Sequence, residues 1–225
     1  MNDDEERGLK ALYDMLVKVA EFPGENSHSP ASLSKWHNQL EYLHGIMLQF
    51  YSQDLIKRYD ALRKEIKSLP VDRMGDAALA RGYDLCFRLL GVISKAFIQE
   101  NLVLENPMGT RIVYDMFVHI SLFPRQNLLT ISTILQWFDM IRAMHYILEG
   151  YLEQQFPQFL REHGIIIRQL KECSKLYPSD DYVLKSREWL INWAGMLSRV
   201  LQEKNLLIPE ELSFSDRIGT GGGKK

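Results

Sequence analysis

The chain has 225 residues, 46% hydrophobic and 25% charged, a balance that suits a globular protein with a sizeable core and argues against intrinsic disorder. A formal net charge of −2 gives no overall field to draw nucleic acid or an acidic membrane surface. The two cysteines, Cys86 and Cys173, are too few for a disulfide framework and lie outside zinc-type spacings.

The opening MNDDEERGLK lacks the basic flank and apolar run of a signal peptide, and no apolar stretch reaches membrane-spanning length, so a cytoplasmic protein with no membrane contact is expected. A first helix is predicted over residues 5–21, where Leu9, Leu12, Leu16 and Val19 recur at helical spacing, and it is expected to end before Phe22-Pro23. The loop FPGENSHS then closes on Ser29, a good N-cap, with Pro30 in the first turn where proline is tolerated. The second helix carries Leu33, Trp36, Leu40, Leu43, Met47 and Phe50 on one stripe, and a break is placed near 53–57. A third helix runs to about 68. The fourth runs from an N-cap at Asp76 to Asn101, whose side chain tolerates the left-handed conformation just past a helix end.

From there the chain repeats itself. YDMLVKVAEFP at 13–23 returns as YDMFVHISLFP at 114–124, and in the same register Asn26, Trp36, His44 and Gln53 meet Asn127, Trp137, His145 and Gln154. After an insertion near Cys173, GVISKAFIQENLVL (91–104) lies over GMLSRVLQEKNLLI (195–208). The predicted elements follow suit: a helix over 111–122 after a linker at 105–111, a cap at Thr130, and a stripe of Ile134, Trp137, Ile141, Met144, Leu148 and Tyr151. They continue with a break at Pro157, a third helix to about 171, and a last helix from Asp180 to Asn205. Gly91 and Ser94 recur as Gly195 and Ser198. A mid-helix glycine costs about 1 kcal/mol relative to alanine, so its recurrence predicts close helix packing. The expected fold is therefore all-α, with two tandem, internally duplicated four-helix units of about 100 residues each. Their boundaries are set at 1–105 and 106–212, followed by a flexible glycine-rich tail at 213–225.

Chemistry-bearing patterns are few. GxSxG and phosphate-cradling glycine loops are absent from the sequence, and no catalytic residue, cofactor or metal is predicted. His37, Glu41 and His44 share one helical face, as in carboxylate-bridged metal bundles, but the second copy keeps only His145 and has Phe138 and Arg142 instead; edge-of-core histidines are the expectation. Asp14 and Asp115 fall opposite the apolar stripe of the first helix in each copy. The stretch at 57–73 is locally basic, and Lys57, Arg58, Arg63, Lys64 and Lys67 are its candidate phosphate-contacting residues, although interleaved acids favour a solvated face.

The copies differ in one informative way. Where the first has Glu21, Ser27, His28, Ser34, His37, Gln39, Lys64 and Glu65, the second has Leu122, Leu128, Leu129, Leu135, Phe138, Met140, Ile165 and Ile166. Apolar residues gained at polar positions imply an extra buried surface, against the first copy, a second identical chain or a different protein. The leading expectation is a non-enzymatic adaptor or structural subunit that binds a partner protein, or itself, through these eight residues. The alternatives are a nucleoprotein subunit touching phosphates through 57–73, and a helical-bundle metalloprotein or enzyme.

Overall fold

The computed structural model describes residues 3–26, 28–69, 75–155, 161, 164–165, 168–169 and 179–203. Among these the secondary structure is helical throughout, with no strand: α1 (Asp3–Glu25), α2 (Pro30–Met47), a 3-10 turn (Leu48–Phe50), α3 (Gln53–Lys67), α4 (Asp76–Gln99), α5 (Pro107–Gln126), α6 (Ile131–Gln155) and α7 (Ser179–Glu203). None of the helices, so far as they are described, is long and apolar enough to cross a membrane.

The first helix does not stop before Phe22-Pro23 as the sequence led us to expect; α1 continues through Pro23 to Glu25. A proline in the last turn removes one amide donor and orphans the carbonyl four residues back. That carbonyl belongs to Val19, and the Trp36 indole Nε1–H donates to it at 2.7 Å from α2. The same arrangement stands in α5, which runs through Pro124 to Gln126: Trp137 Nε1–H donates to the Ile120 carbonyl at 2.9 Å. Asn26 and Asn127 close the two ends alike, donating their side-chain amides to the Phe22 and Phe123 carbonyls at 2.8 and 2.9 Å. The doubled FPxxN string is thus a helix end in which proline, tryptophan and asparagine exchange backbone partners for side-chain ones.

The cap at Ser29 is as expected, its hydroxyl accepting from the Ser32 amide, and Thr130 accepts likewise from the Thr133 amide. The break in the first half falls slightly earlier than placed, because the 3-10 turn ends α2 and Ser52 caps α3. The corresponding break at Pro157, most of the third helix to 171, Asn205 and the tail lie outside the described residues. Much of the predicted linker at 105–111 is helix instead. Asn106 accepts from the Met108 amide at 2.9 Å, Pro107 occupies the first turn, and α5 starts there rather than at 111.

α4 begins after Gly75 rather than with Asp76 as its cap, and ends in a Schellman motif. Asn101 is left-handed (φ 56°), its amide reaches the Ile98 carbonyl, and the Leu102 amide reaches Phe97 at 2.8 Å. Tyr13 of α1 donates its hydroxyl to the Leu102 carbonyl, tying that turn to the first helix. Burial pushes the Tyr13 phenol up to about 12.

Helices of the two halves pack on one another. α4 touches α2, α3 and α6, while α6 touches α1, α4, α5 and α7, so these two helices form the centre of the core. They run parallel, since Asp84, Gly91, Lys95 and Ile98 meet Arg142, Tyr146, Glu149 and Gly150 in rising order. Gly91 permits the approach: a Cβ there would lie 2.9 Å from both the Tyr146 ring and the Glu149 carboxylate. Trp36, Trp137 and Trp193 are fully buried around this pair.

Candidate functional site

The polar constellation of α2 becomes a cleft once α3 folds beside it. A break at 48–52 turns the chain so that α3 lies along the His37–Glu41–His44 face, and the two helices enclose a cleft of about 410 Å³. Its walls include Leu33, His37, Asn38, Glu41, Arg63, Ile66 and Lys67. Glu41 is the anchor. Its Oε2 pairs with Arg63 Nη2 at 2.7 Å and its Oε1 accepts from the Tyr59 hydroxyl at 3.1 Å. Burial, reinforced by the adjacent Glu41 carboxylate, pushes the Tyr59 phenol well above its usual range.

His37 Nε2 stands 3.5 Å from Glu41 Oε1 without hydrogen-bond geometry, and Arg63 Nε is buried with no hydrogen-bond partner among the described residues. Burial lowers the pKa of His37; Lys67 and Arg63 add to that effect and Glu41 opposes it. His44 does not join the cleft as a ligand. It stacks flat on Tyr59, ring centroids 3.5 Å apart, and burial lowers its pKa too. His145 is buried edge-on to Trp193 and Tyr146. Both repeated histidines are therefore packing residues, and among the described residues no group of three or more His, Cys, Asp or Glu is arranged to hold a metal.

No family model, curated protein or solved structure matches the chain. Function must therefore be argued from its own geometry.

The five basic residues separate by environment. Arg58 pairs with Asp54 at 2.9 Å and Arg63 with Glu41, whereas Lys57, Lys64 and Lys67 are exposed. Only Arg63 and Lys67 converge on the cleft.

The eight apolar positions of the second half divide similarly. Met140 packs on α1 at Gly24, where an added Cβ would lie 2.9 Å from its Cγ. Phe138 sits edge-on to Trp193 at 5.8 Å, and Leu129 is partly buried against the core. Leu122 is half-buried, and Ile166 lies outside the residues whose side chains are described. Leu128, Leu135 and Ile165 are exposed, at 84%, 41% and 52%. Ile131, 45% exposed, was not singled out in the sequence; it lies one turn before Leu135 on α6, whereas Leu128 stands in the loop that precedes the helix. A second exposed set, Tyr42, Ile46 and Leu48 at the end of α2, also escaped the comparison of copies. Tyr42 and Ile46 align with Ala143 and Ile147, which are buried.

Among the polar contacts that cross the halves, one buries a carboxylate of α6. His28 Nε2 meets Asp139 Oδ2 at 2.7 Å while its ring stacks on Tyr83. Burial raises the pKa of Asp139, with His28 and Arg142 pulling the other way. Asp14 and Asp115 lie exposed, and Asp115 is 3.7 Å from Arg111, so both are solvated helix residues.

Proposed function

We propose that the protein is a non-catalytic helical scaffold, built from two related units of about 100 residues, that docks a partner protein through the apolar stripe formed by the first turns of α6 and the loop before it. The observation that carries the reading is the exposure of Ile131 and Leu135, one turn apart at the head of a central helix, together with that of Leu128 in the loop just before it. Clustered exposed apolar side chains mark interaction sites, and apolar residues one turn apart on a helix suit an apolar helix face of the partner. The duplication is supported by the shared register and by the two proline–tryptophan exchanges at Val19 and Ile120.

The test places a photo-cross-linking residue at Leu135 and, separately, at Tyr42 of the full chain in its native source. A single protein cross-linked from 135, and lost when Leu128 and Ile131 are both changed to Glu, supports the reading. No specific product, or a product from 42 alone, overturns it. Leu128→Glu by itself should leave the melting temperature within the range of ordinary surface substitutions, about 0.5 kcal/mol in stability.

A further inference from the structure

We propose that the cleft between α2 and α3 binds a compact oxyanion, of the phosphate or sulfate type, through Arg63, Lys67 and His37. This site is separate from the apolar stripe and does not rest on it.

Arg63 already satisfies Glu41 with Nη2, yet its Nε–H is buried and makes no hydrogen bond among the described residues. A guanidinium cannot shed its proton at ordinary pH, so this donor stays unsatisfied until the Arg63 side chain, 41% exposed and lining the cleft, turns it towards an acceptor there. His37 Nε2, on the facing α2 wall, is a second polar atom without a hydrogen-bond partner among the described residues, and Lys67 is exposed at the end of α3. Glu41 cancels one of the two permanent positive charges. The remainder is one positive charge with His37 neutral and two with it protonated, which matches a dianion. Leu33 and Ile66 line the rest of the wall, so an oxyanion carried on a small organic group also fits. Metal chemistry is not required, because Glu41 is already held by Tyr59 and Arg63.

The charged and titratable groups facing His37 are Glu41 on its own helix and Arg63 and Lys67 on α3. Burial keeps its pKa low in the free protein, so His37 is neutral at pH 8 and takes up a proton only as pH falls. A bound dianion favours that proton, and binding must therefore tighten as pH falls. An anion that raises the imidazole pKa by about one unit binds about tenfold more tightly to the protonated form.

The experiment follows the His37 imidazole resonance of the full chain, assigned by its loss in His37→Gln, while sodium sulfate is added at pH 8 and pH 5.5. Sulfate keeps its charge over this range, so the protein alone supplies the pH dependence. Saturable shifts that tighten towards low pH are expected, with binding roughly fivefold weaker in Lys67→Gln, whose exposed side chain can be changed without disturbing the core. In His37→Gln, read at the Arg63 Nε resonance, the pH dependence should vanish while some binding remains. Phenyl phosphate binding more tightly than inorganic phosphate assigns the site to an organic ester; equal binding assigns it to the free ion. No saturable shift well above the millimolar range overturns the proposal, as does binding indifferent to both Lys67→Gln and pH. Acetate binding as tightly as sulfate also overturns it.

Discussion

Pro23 removes the amide that would reach back to Val19, and the Trp36 indole takes its place; Pro124, Ile120 and Trp137 repeat the exchange. The two residues are therefore coupled. Trp36→Phe should cost about 2–4 kcal/mol, from lost volume and from leaving the Val19 carbonyl without a donor in a dry setting. Adding Pro23→Ala restores a backbone N–H to that carbonyl, and the double variant should recover about 1 kcal/mol relative to Trp36→Phe alone. A denaturant double-mutant cycle reads this coupling, and additive effects would count against the exchange. Asp139 offers a second test at the same scale. Its carboxyl is buried and its pKa raised, so ionisation is disfavoured in the fold. A raised folded pKa means that stability is full below the unfolded value near 4 and declines as pH rises towards the folded value. Asp139→Asn keeps an acceptor for His28 and removes the charge. Its advantage in melting temperature should be absent at low pH and grow through the weakly acidic range, by about 2–4 °C for each kcal/mol relieved. A constant difference across pH would show that charge burial is not its cause.

Helix positions were legible in the sequence wherever an apolar stripe ran unbroken, as in Leu33–Trp36–Leu40–Leu43–Met47, all buried on α2. Helix ends were less legible, because the rule that proline stops a helix assumes that the orphaned carbonyl has no other donor. Val19 and Ile120 have one, supplied from 17 residues further along the chain, and nothing local signals it. The early start of α5 was hidden for a related reason: the glycine in ENPMGTR reads as a linker residue but serves close packing. A Cβ on Gly109 would run into the Leu102 and Val103 carbonyl oxygens. Backbone atoms cannot rotate aside as the Tyr146 ring and Glu149 can at Gly91. Gly109→Ala should therefore destabilise by about 2 kcal/mol or more despite the better helix propensity of alanine, and Gly91→Ala by clearly less. Chemical denaturation of the two variants ranks them, and equal costs would mean that the junction at 102–109 yields easily. The cleft was half legible. The i, i+4 spacing of His37 and Glu41 placed them on one face, but only the turn at 48–52 brings Arg63 to Glu41, which no pattern within α2 foretells.

Pairing between the halves decides how the whole chain holds together. The apolar residues that the second half gains predict an extra buried surface, against the first half, a second identical chain or a different protein, and Met140 meets the first of these, α1 at Gly24. The same logic applies to α4. Phe87 and Ile98 are buried at the α6 contact, where Arg142 lies over the Phe87 ring at 4.2 Å and pairs with Asp84, and Lys95 reaches Glu149 and Glu153 at 3.6 and 2.8 Å. Cutting the chain at 105 would leave this α4 face in water on one fragment and bare the α6 face on the other. Fully burying each large apolar side chain is worth about 1.5–3 kcal/mol, so a few such losses rival the stability of a small domain. Residues 1–105 expressed alone should show helical far-UV dichroism with a broad, weakly cooperative melt. Mixing with 106–225 should restore a sharp transition, and Arg142→Glu in the second fragment should weaken the reassociation by opposing Asp84. Two fragments that each melt sharply and ignore one another would show that the α4–α6 contact joins units already complete in themselves.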